Sequence, residues 1–219
     1  LVSRTARRQS QASLILGMDL KPLHMNLAAP EDAVRFEHED EVVSLAFSPD
    51  GASLVAAGED RSVVVWSIES RSRAREVRMD CAVQAVAYSP SGQYVAAVDD
   101  DSCVVVWTAA ALEEVGRDAV EGSPLSLAMA SRPHELLAVG TTAKKVTLLS
   151  VPGLETVCDL RHDGNVLSLS FSPDGLSLAG GGGTDDMHGL MTRKAAAGHH
   201  EMKTVMWRVS ASKEECKYL

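Results

Sequence analysis

Apolar residues alternate with small or polar ones over several short stretches of this chain, and the stretches repeat. Val42 to Phe47, Val83 to Tyr88, Pro124 to Met129 and Val166 to Phe171 share one alternating pattern, which is strand periodicity. Their last residues, Phe47, Tyr88, Met129 and Phe171, recur 41, 41 and 42 residues apart. Ser-Pro-Asp-Gly follows Phe47 and Phe171, and Ser-Pro-Ser-Gly follows Tyr88. Such a tetrad makes a tight turn, because Pro sets φ and Gly accepts a positive φ. A second apolar run comes next, at Leu54 to Ala57, Tyr94 to Val98, Leu136 to Val139 and Leu176 to Ala179. A third ends in a bulky residue: Val63 to Trp66, Val104 to Trp107, Val146 to Leu149 and Val205 to Trp207. The repeating unit is therefore a small antiparallel sheet with β-branched interiors.

Composition sharpens this picture at one point. Aromatics are only 4% of the 219 residues, nine in all, yet six of them fall on two repeat positions: Phe47, Tyr88, Phe171 and Trp66, Trp107, Trp207. The formal net charge of −9 argues against a general nucleic-acid binder, which needs a basic face. No apolar run approaches the ~20 residues of a membrane-spanning helix, so no membrane insertion is expected. The cysteines, Cys81, Cys103, Cys158 and Cys216, show no Cys-x-x-Cys spacing, which suggests a reducing compartment and no thiolate zinc site. Arg4, Arg7 and Arg8 before Ser13 to Leu16 look like the start of a secretion signal, but Gly17 and Asp19 break the apolar stretch too early. The expected location is the cytoplasm, with cytoskeletal or complex-bound placement open.

With these segments aligned, the chain resembles the tryptophan-aspartate (WD) repeat family of β-propellers over about residues 33 to 210. The resemblance implies an all-β propeller of four-stranded antiparallel blades: four full blades plus fragments, at 38–78, 79–119, 120–161 and 162–210 within a 33–219 propeller region. Residues 1–32 form an N-terminal tail that could hold part of a degraded blade, and 33–37 look like the outer strand of an earlier one. In the family, a His before the first strand, a Ser or Thr on the second, an Asp in the following turn and the Trp form a hydrogen-bonded network. Carried over, the first repeat offers His38, Asp60 and Trp66 with Ala56 at the hydroxyl position. The second keeps Asp101 and Trp107, with Met79 and Ala97 in the other places. The third keeps none, and the fourth keeps His162 and Trp207 with Glu201 for the Asp. These departures imply blades held more by apolar packing than by polar networks. Rings of this family are commonly seven-bladed, roughly 300 residues. The expectation is thus a piece of a longer propeller, or a ring that a partner chain or a second copy completes.

In the family that the chain resembles, one rim gathers the loops entering the first strands and those between the second and third, which implies the same here. Those loops are acidic: Glu37 to Glu41 with Glu39, Asp40 and Glu41, then Glu59, Asp80, Asp99, Asp100, Asp101, Glu121 and Asp163. Fixed negative charge on one rim would attract a basic partner segment, although charged loops are also simply well solvated. The fourth repeat carries an insertion at 181–200 that overhangs this rim. Met187, Leu190 and Met191 offer adaptable apolar contacts there, and Arg193 and Lys194 oppose the acidic loops. Asp185, Asp186, His188, His199 and His200 could hold a divalent metal but lack a fixed spacing. Gly180 to Gly183 resemble a phosphate cradle without the Lys that should follow. Arg7-Arg8-Gln9-Ser10 matches a basophilic kinase site.

No nucleophile triad, paired carboxylates or nucleotide fingerprint occurs, so no catalytic, cofactor or metal residue is assigned and no enzyme is expected. The expected function is a non-catalytic protein-interaction scaffold, acting in a macromolecular complex through the acidic rim and the long loop. The alternatives are a regulatory propeller segment of a larger enzyme, or of a protein similar to the echinoderm microtubule-associated family.

Overall fold

A computed structural model describes residues 35–183, 202–209 and 217–218, which form strands and turns with no helix among them. The first sheet takes β1 (Val42–Phe47), β2 (Ser53–Gly58), β3 (Ser62–Ser67) and β4 (Ser72–Arg78) in that order. The second takes β5 (Val83–Tyr88), β6 (Tyr94–Asp99), β7 (Cys103–Thr108) and β8 (Glu114–Ala119), and the third takes β9 (Pro124–Ala130), β10 (Leu136–Thr141), β11 (Lys145–Ser150) and β12 (Thr156–Arg161). The fourth takes β13 (Asn165–Phe171), β14 (Ser177–Gly183), β15 (Met202–Arg208) and β16 (Lys217–Tyr218). Every neighbouring pair is antiparallel. All-β blades of four antiparallel strands are thus what the alternating pattern builds.

The Ser-Pro-Asp-Gly turns work by hydrogen bonds as well as by backbone preference. Ser48 Oγ accepts the Ser53 N–H at 2.9 Å and donates to Asp50 Oδ1 at 2.6 Å, while Asp50 Oδ1 also accepts the Ala52 N–H at 2.9 Å. Ser172 and Asp174 repeat the arrangement in the fourth sheet. The serine hydroxyls, and then the backbone donors, hold both aspartate carboxyls below their ordinary range. Gly51 and Gly175 take φ of 71° and 72° at the same turn position.

Registers sort each sheet into two faces. In the first, Ala46, Val55, Ala57, Val63 and Val65 face the second sheet, where Val86, Val95, Ala97, Val105 and Trp107 meet them in one core cluster. The second sheet turns Ala85, Ala87, Ala96, Val98, Val104 and Val106 toward Met129, Leu137, Val139 and Leu149 of the third. The third turns Leu136, Ala138, Val146 and Leu148 toward Val166, Leu178 and Trp207 of the fourth. Each fully buried Val, Leu or Trp contributes about 1.5–3 kcal/mol, so these stacked faces outweigh any single polar contact. Inner strands follow one another in the same order, β1 on β5, β5 on β9 and β9 on β13.

Three boundaries differ from those read in the sequence. Residues 35–37 are not strand; Phe36 instead lays its ring 5.1 Å from that of Trp66. Gly181 to Gly183 belong to β14, paired with Thr204, Lys203 and Met202, so the phosphate-cradle reading of Gly180 to Gly183 falls on strand. The fourth sheet gains its outer strand at Lys217–Tyr218, past residue 210. The tail 1–32, the kinase-site match, the loop residues Met187, Leu190, Met191, Arg193 and Lys194, the metal candidates at 185–200 and Cys216 lie outside the described residues.

The glycine turns supply a stability test. A Cβ at Gly51 meets nothing within 4 Å, whereas one at Gly175 would sit 1.7 Å from the Arg132 carbonyl oxygen. Gly51→Ala should cost about 1–2 kcal/mol through its left-handed backbone alone. Gly175→Ala should cost ~3 kcal/mol or more, because backbone must also move. Urea midpoints of the two variants measure the difference, and equal midpoints would refute the close approach.

Candidate functional site

Segments entering the inner strands and turns after the second strands are stitched into one rim by backbone hydrogen bonds. Glu59 N donates to Glu41 O, Asp100 N to Ala82 O and Thr142 N to Ser123 O, each at 3.0 Å. The same turns reach the next sheet: Met79 N to Arg61 O, Val120 N to Ser102 O and His162 N to Lys144 O, at 2.8–2.9 Å. Arg61, Ser102 and Lys144 occupy one equivalent left-handed position, with φ of 64°, 66° and 60°. The rim is a pinned surface rather than a set of independent loops.

Beneath it, the first sheet carries a polar chain from core to rim. Trp66 Nε1 donates to His38 Nε2 at 3.2 Å, and His38 Nδ1 then faces Asp60 Oδ2 at 3.4 Å. Asp60 Oδ1 accepts the Ser62 N–H at 2.9 Å and the Ser62 hydroxyl at 2.7 Å. Burial alone would raise the Asp60 carboxyl, but these Ser62 donors and His38 outweigh it and hold it below the ordinary value. Ala56, at the missing hydroxyl position, is packed beside Val64 and Trp66.

The other sheets solve the same turn differently. In the second, Asp99 rather than Asp101 organises the turn, its Oδ1 accepting the N–H groups of Asp101 (3.1 Å) and Cys103 (3.0 Å). Asp101 instead accepts the Cys81 S–H at 3.0 Å. Met79, at the histidine position, packs in the cluster that holds Trp107. In the third, the Thr141 hydroxyl accepts the Ala143 N–H at 3.2 Å. In the fourth, His162 is buried, its Nδ1 accepts the Gly164 N–H at 3.1 Å, and its ring lies 6.2 Å from Trp207. Residue 201 lies outside the described residues.

The rim carboxylates divide into paired and free. Glu39 meets Arg78 at 3.2 Å, Asp80 meets Arg117 at 3.4 Å and Glu121 meets Lys145 at 2.9 Å. The Glu121 hydrogen bond raises the Lys145 ammonium and keeps it charged. Asp99, expected among the partner-binding residues, is only 1% exposed and cannot be presented to a partner, because its carboxylate is spent on the turn. Asp40, Glu41, Glu59 and Asp100 are exposed and make no ion pair among the described residues. Cys81 is pushed up to about 11, mainly by donating to Asp101, and burial raises Cys103, so both stay thiols near neutral pH.

The Asp60 chain predicts a pH dependence. A carboxyl lowered on folding adds stability that is present above its unfolded value of ~3.9 and lost as pH falls through the lower folded value. Asp60→Asn should therefore lose about 1–2 kcal/mol near neutral pH, with the deficit shrinking on acidification below ~4. Urea titrations at neutral and acid pH check this; a deficit that does not change with pH would refute the charged role of Asp60.

A model of the WD domain, G-beta repeat family (WD40) matches residues 32–67, 78–108 and 155–188. The unmatched stretch 109–154 contains β9, β10 and β11 of the third sheet, the one with none of the four network residues. Over 40 residues the chain is 45% identical to ribosomal RNA-processing protein 9 of Saccharomyces cerevisiae (strain ATCC 204508 / S288c), a match covering 18% of this chain and 7% of that protein. Among solved structures it is similar to U3-55K (TM-score 0.66, 20% identity, 85% of this chain and 53% of that one). It is similar also to the WD40 repeats of RRP9 (TM-score 0.65, 19% identity, 85% and 52%). A chain of the mitotic checkpoint complex matches with TM-score 0.60 and 27% identity, over 66% of this chain and 47% of that one. The chain spans about half the length of these solved chains. Repeat period, blade topology and matched stretches agree: the chain carries WD40 repeat matches at three positions, and its described residues form four four-stranded blades of the β-propeller fold.

Proposed function

We propose that this chain is a non-catalytic protein-interaction scaffold that receives a basic segment on the acidic rim of its first two blades. The observation that carries this reading is the set Asp40, Glu41, Glu59 and Asp100, exposed carboxylates without ion pairs among the described residues, on loops held by backbone hydrogen bonds. Charges fixed in place speed the approach of an opposite charge, and loops already ordered lose little entropy on binding. A phosphate backbone would be repelled by the same four groups, and the net charge of −9 works in the same direction. Names of similar proteins refer to RNA processing, so RNA is the competing ligand to be tested directly. Protonated Cys81 and Cys103 favour binding over thiolate catalysis, and these two free thiols suit a reducing compartment such as the cytoplasm.

Fluorescence anisotropy with a labelled Lys- and Arg-rich peptide, an acidic peptide and single-stranded RNA tests the reading. The basic peptide should bind, and binding should collapse in about 1 M salt, where the screening length is ~3 Å. The pair Glu59→Lys and Asp100→Lys should weaken it about tenfold or more. Preference for RNA, or unchanged affinity in the charge-reversed protein, would overturn the proposal.

A further inference from the structure

Gly58, Asp99 and Thr141 are one position seen in three blades. Each closes a second strand, β2, β6 or β10, and each stands eight residues before the bulky residue of the third strand, Trp66, Trp107 or Leu149. The residue that follows donates its N–H across the rim in the same way in all three, Glu59 to Glu41, Asp100 to Ala82 and Thr142 to Ser123. What the position carries differs. Gly58 has no side chain, and a Cβ there would sit 1.9 Å from the Glu41 carbonyl oxygen. Thr141 is fully buried, and its hydroxyl oxygen accepts the N–H two residues on, that of Ala143. Asp99 is buried as well; its Oδ1 accepts the N–H two residues on, that of Asp101, and also that of Cys103.

The turn therefore needs an oxygen at most, and it does not need a charge. A carboxylate is costly to take out of water, and cations or hydrogen bonds must repay it. Asp99 has its backbone donors but makes no ion pair among the described residues. Basic groups of this seam are engaged elsewhere: Arg117 with Glu114 and Asp80, and Arg61 with the Asp80 carbonyl. A negative charge is thus held in place, uncancelled, one residue from the exposed Asp100. Its reach shows in the thiols on either side. Burial raises Cys103 most and the Asp99 charge comes next; at Cys81 the same charge adds to a rise led by the Asp101 hydrogen bond.

We propose that Asp99 is a steering residue of the rim: no partner touches it, yet its fixed charge, added to that of Asp100, sets how fast a basic segment arrives at the second blade. This inference rests on the acidic-rim reading and extends it to a group beneath the surface. A carboxylate walled in by low-dielectric protein sends its field out along the short path to water, here the rim, and a fixed field there speeds encounter. A group that makes no contact changes arrival and leaves departure alone. The position also separates the blades. The third closes the same turn with Thr141 and adds no charge, so a basic segment is drawn to the second blade in preference to it.

Stopped-flow fluorescence with the labelled Lys- and Arg-rich peptide, from low salt to about 1 M, reads on-rate and off-rate separately. Asp99→Asn keeps an acceptor oxygen, and Asp99→Thr installs the residue of the third blade. Both should fold, with urea midpoints no lower than the native one. Each should bind about two- to fivefold more slowly at low salt with the off-rate unchanged, and the difference should vanish near 1 M salt. Asp100→Asn, at the surface, should raise the off-rate as well. Native on-rates in both Asp99 variants, a slowing that persists near 1 M salt, a loss carried by the off-rate, or midpoints well below the native one in both would each overturn the inference and leave the rim reading standing. A native chain that does not bind the peptide at all would overturn both.

Discussion

Everything in this molecule depends on one constraint: a four-stranded sheet with apolar residues on both faces cannot bury either face alone. Val63 and Val65 point one way from β3, Val64 and Trp66 the other, and both sets must leave water. Stacking is the solution, and it sets the order in which the pieces appear. Small residues on one face make room for the bulky face that follows, so the direction of stacking is written into each sheet. The His38, Asp60 and Trp66 chain refines this arrangement in one blade; the third blade, with Leu149 in place of the Trp, is buried as thoroughly without it.

The strand pattern was legible because it is local. Alternation, the Ser-Pro-Asp-Gly turn and the recurrence near 41 residues each depend on neighbours in sequence, and they located the first three strands of each blade; the outer strands, mostly exposed where described, carry no such apolar run. What depends on contacts between distant segments was not legible. Three consecutive aspartates, Asp99, Asp100 and Asp101, offer the same chemistry, and only the burial of the first decides which one closes the turn. The glycine run at 180–183 read as loop because glycine is rare inside strands. Its reason lies across the sheet: a Cβ at Gly180 would meet the Trp207 ring at 2.7 Å, so the strand gives up a side chain to make room for the indole.

The acidic rim was visible as composition and changed in meaning once partners were counted. Glu39, Asp80 and Glu121 are balanced by Arg78, Arg117 and Lys145, basic residues that come from outer strands or from the next blade. Surface pairs of this kind add little stability. They decide instead where negative potential survives, concentrating it at Asp40, Glu41, Glu59 and Asp100. The rim is therefore narrower and more specific than a tally of carboxylates would give.

Because each blade touches only its neighbours, stability here is close to a sum of blade terms and nearest-neighbour terms. Damage in one repeat weakens two contacts and goes no further. The third blade shows the result: flanked on both sides, it lacks the His, the hydroxyl, the Asp and the Trp together, and its strands still hold register between the sheets beside it. A repeat flanked on both sides can thus keep its place by packing alone, without the polar chain that the first blade carries from Trp66 to Asp60.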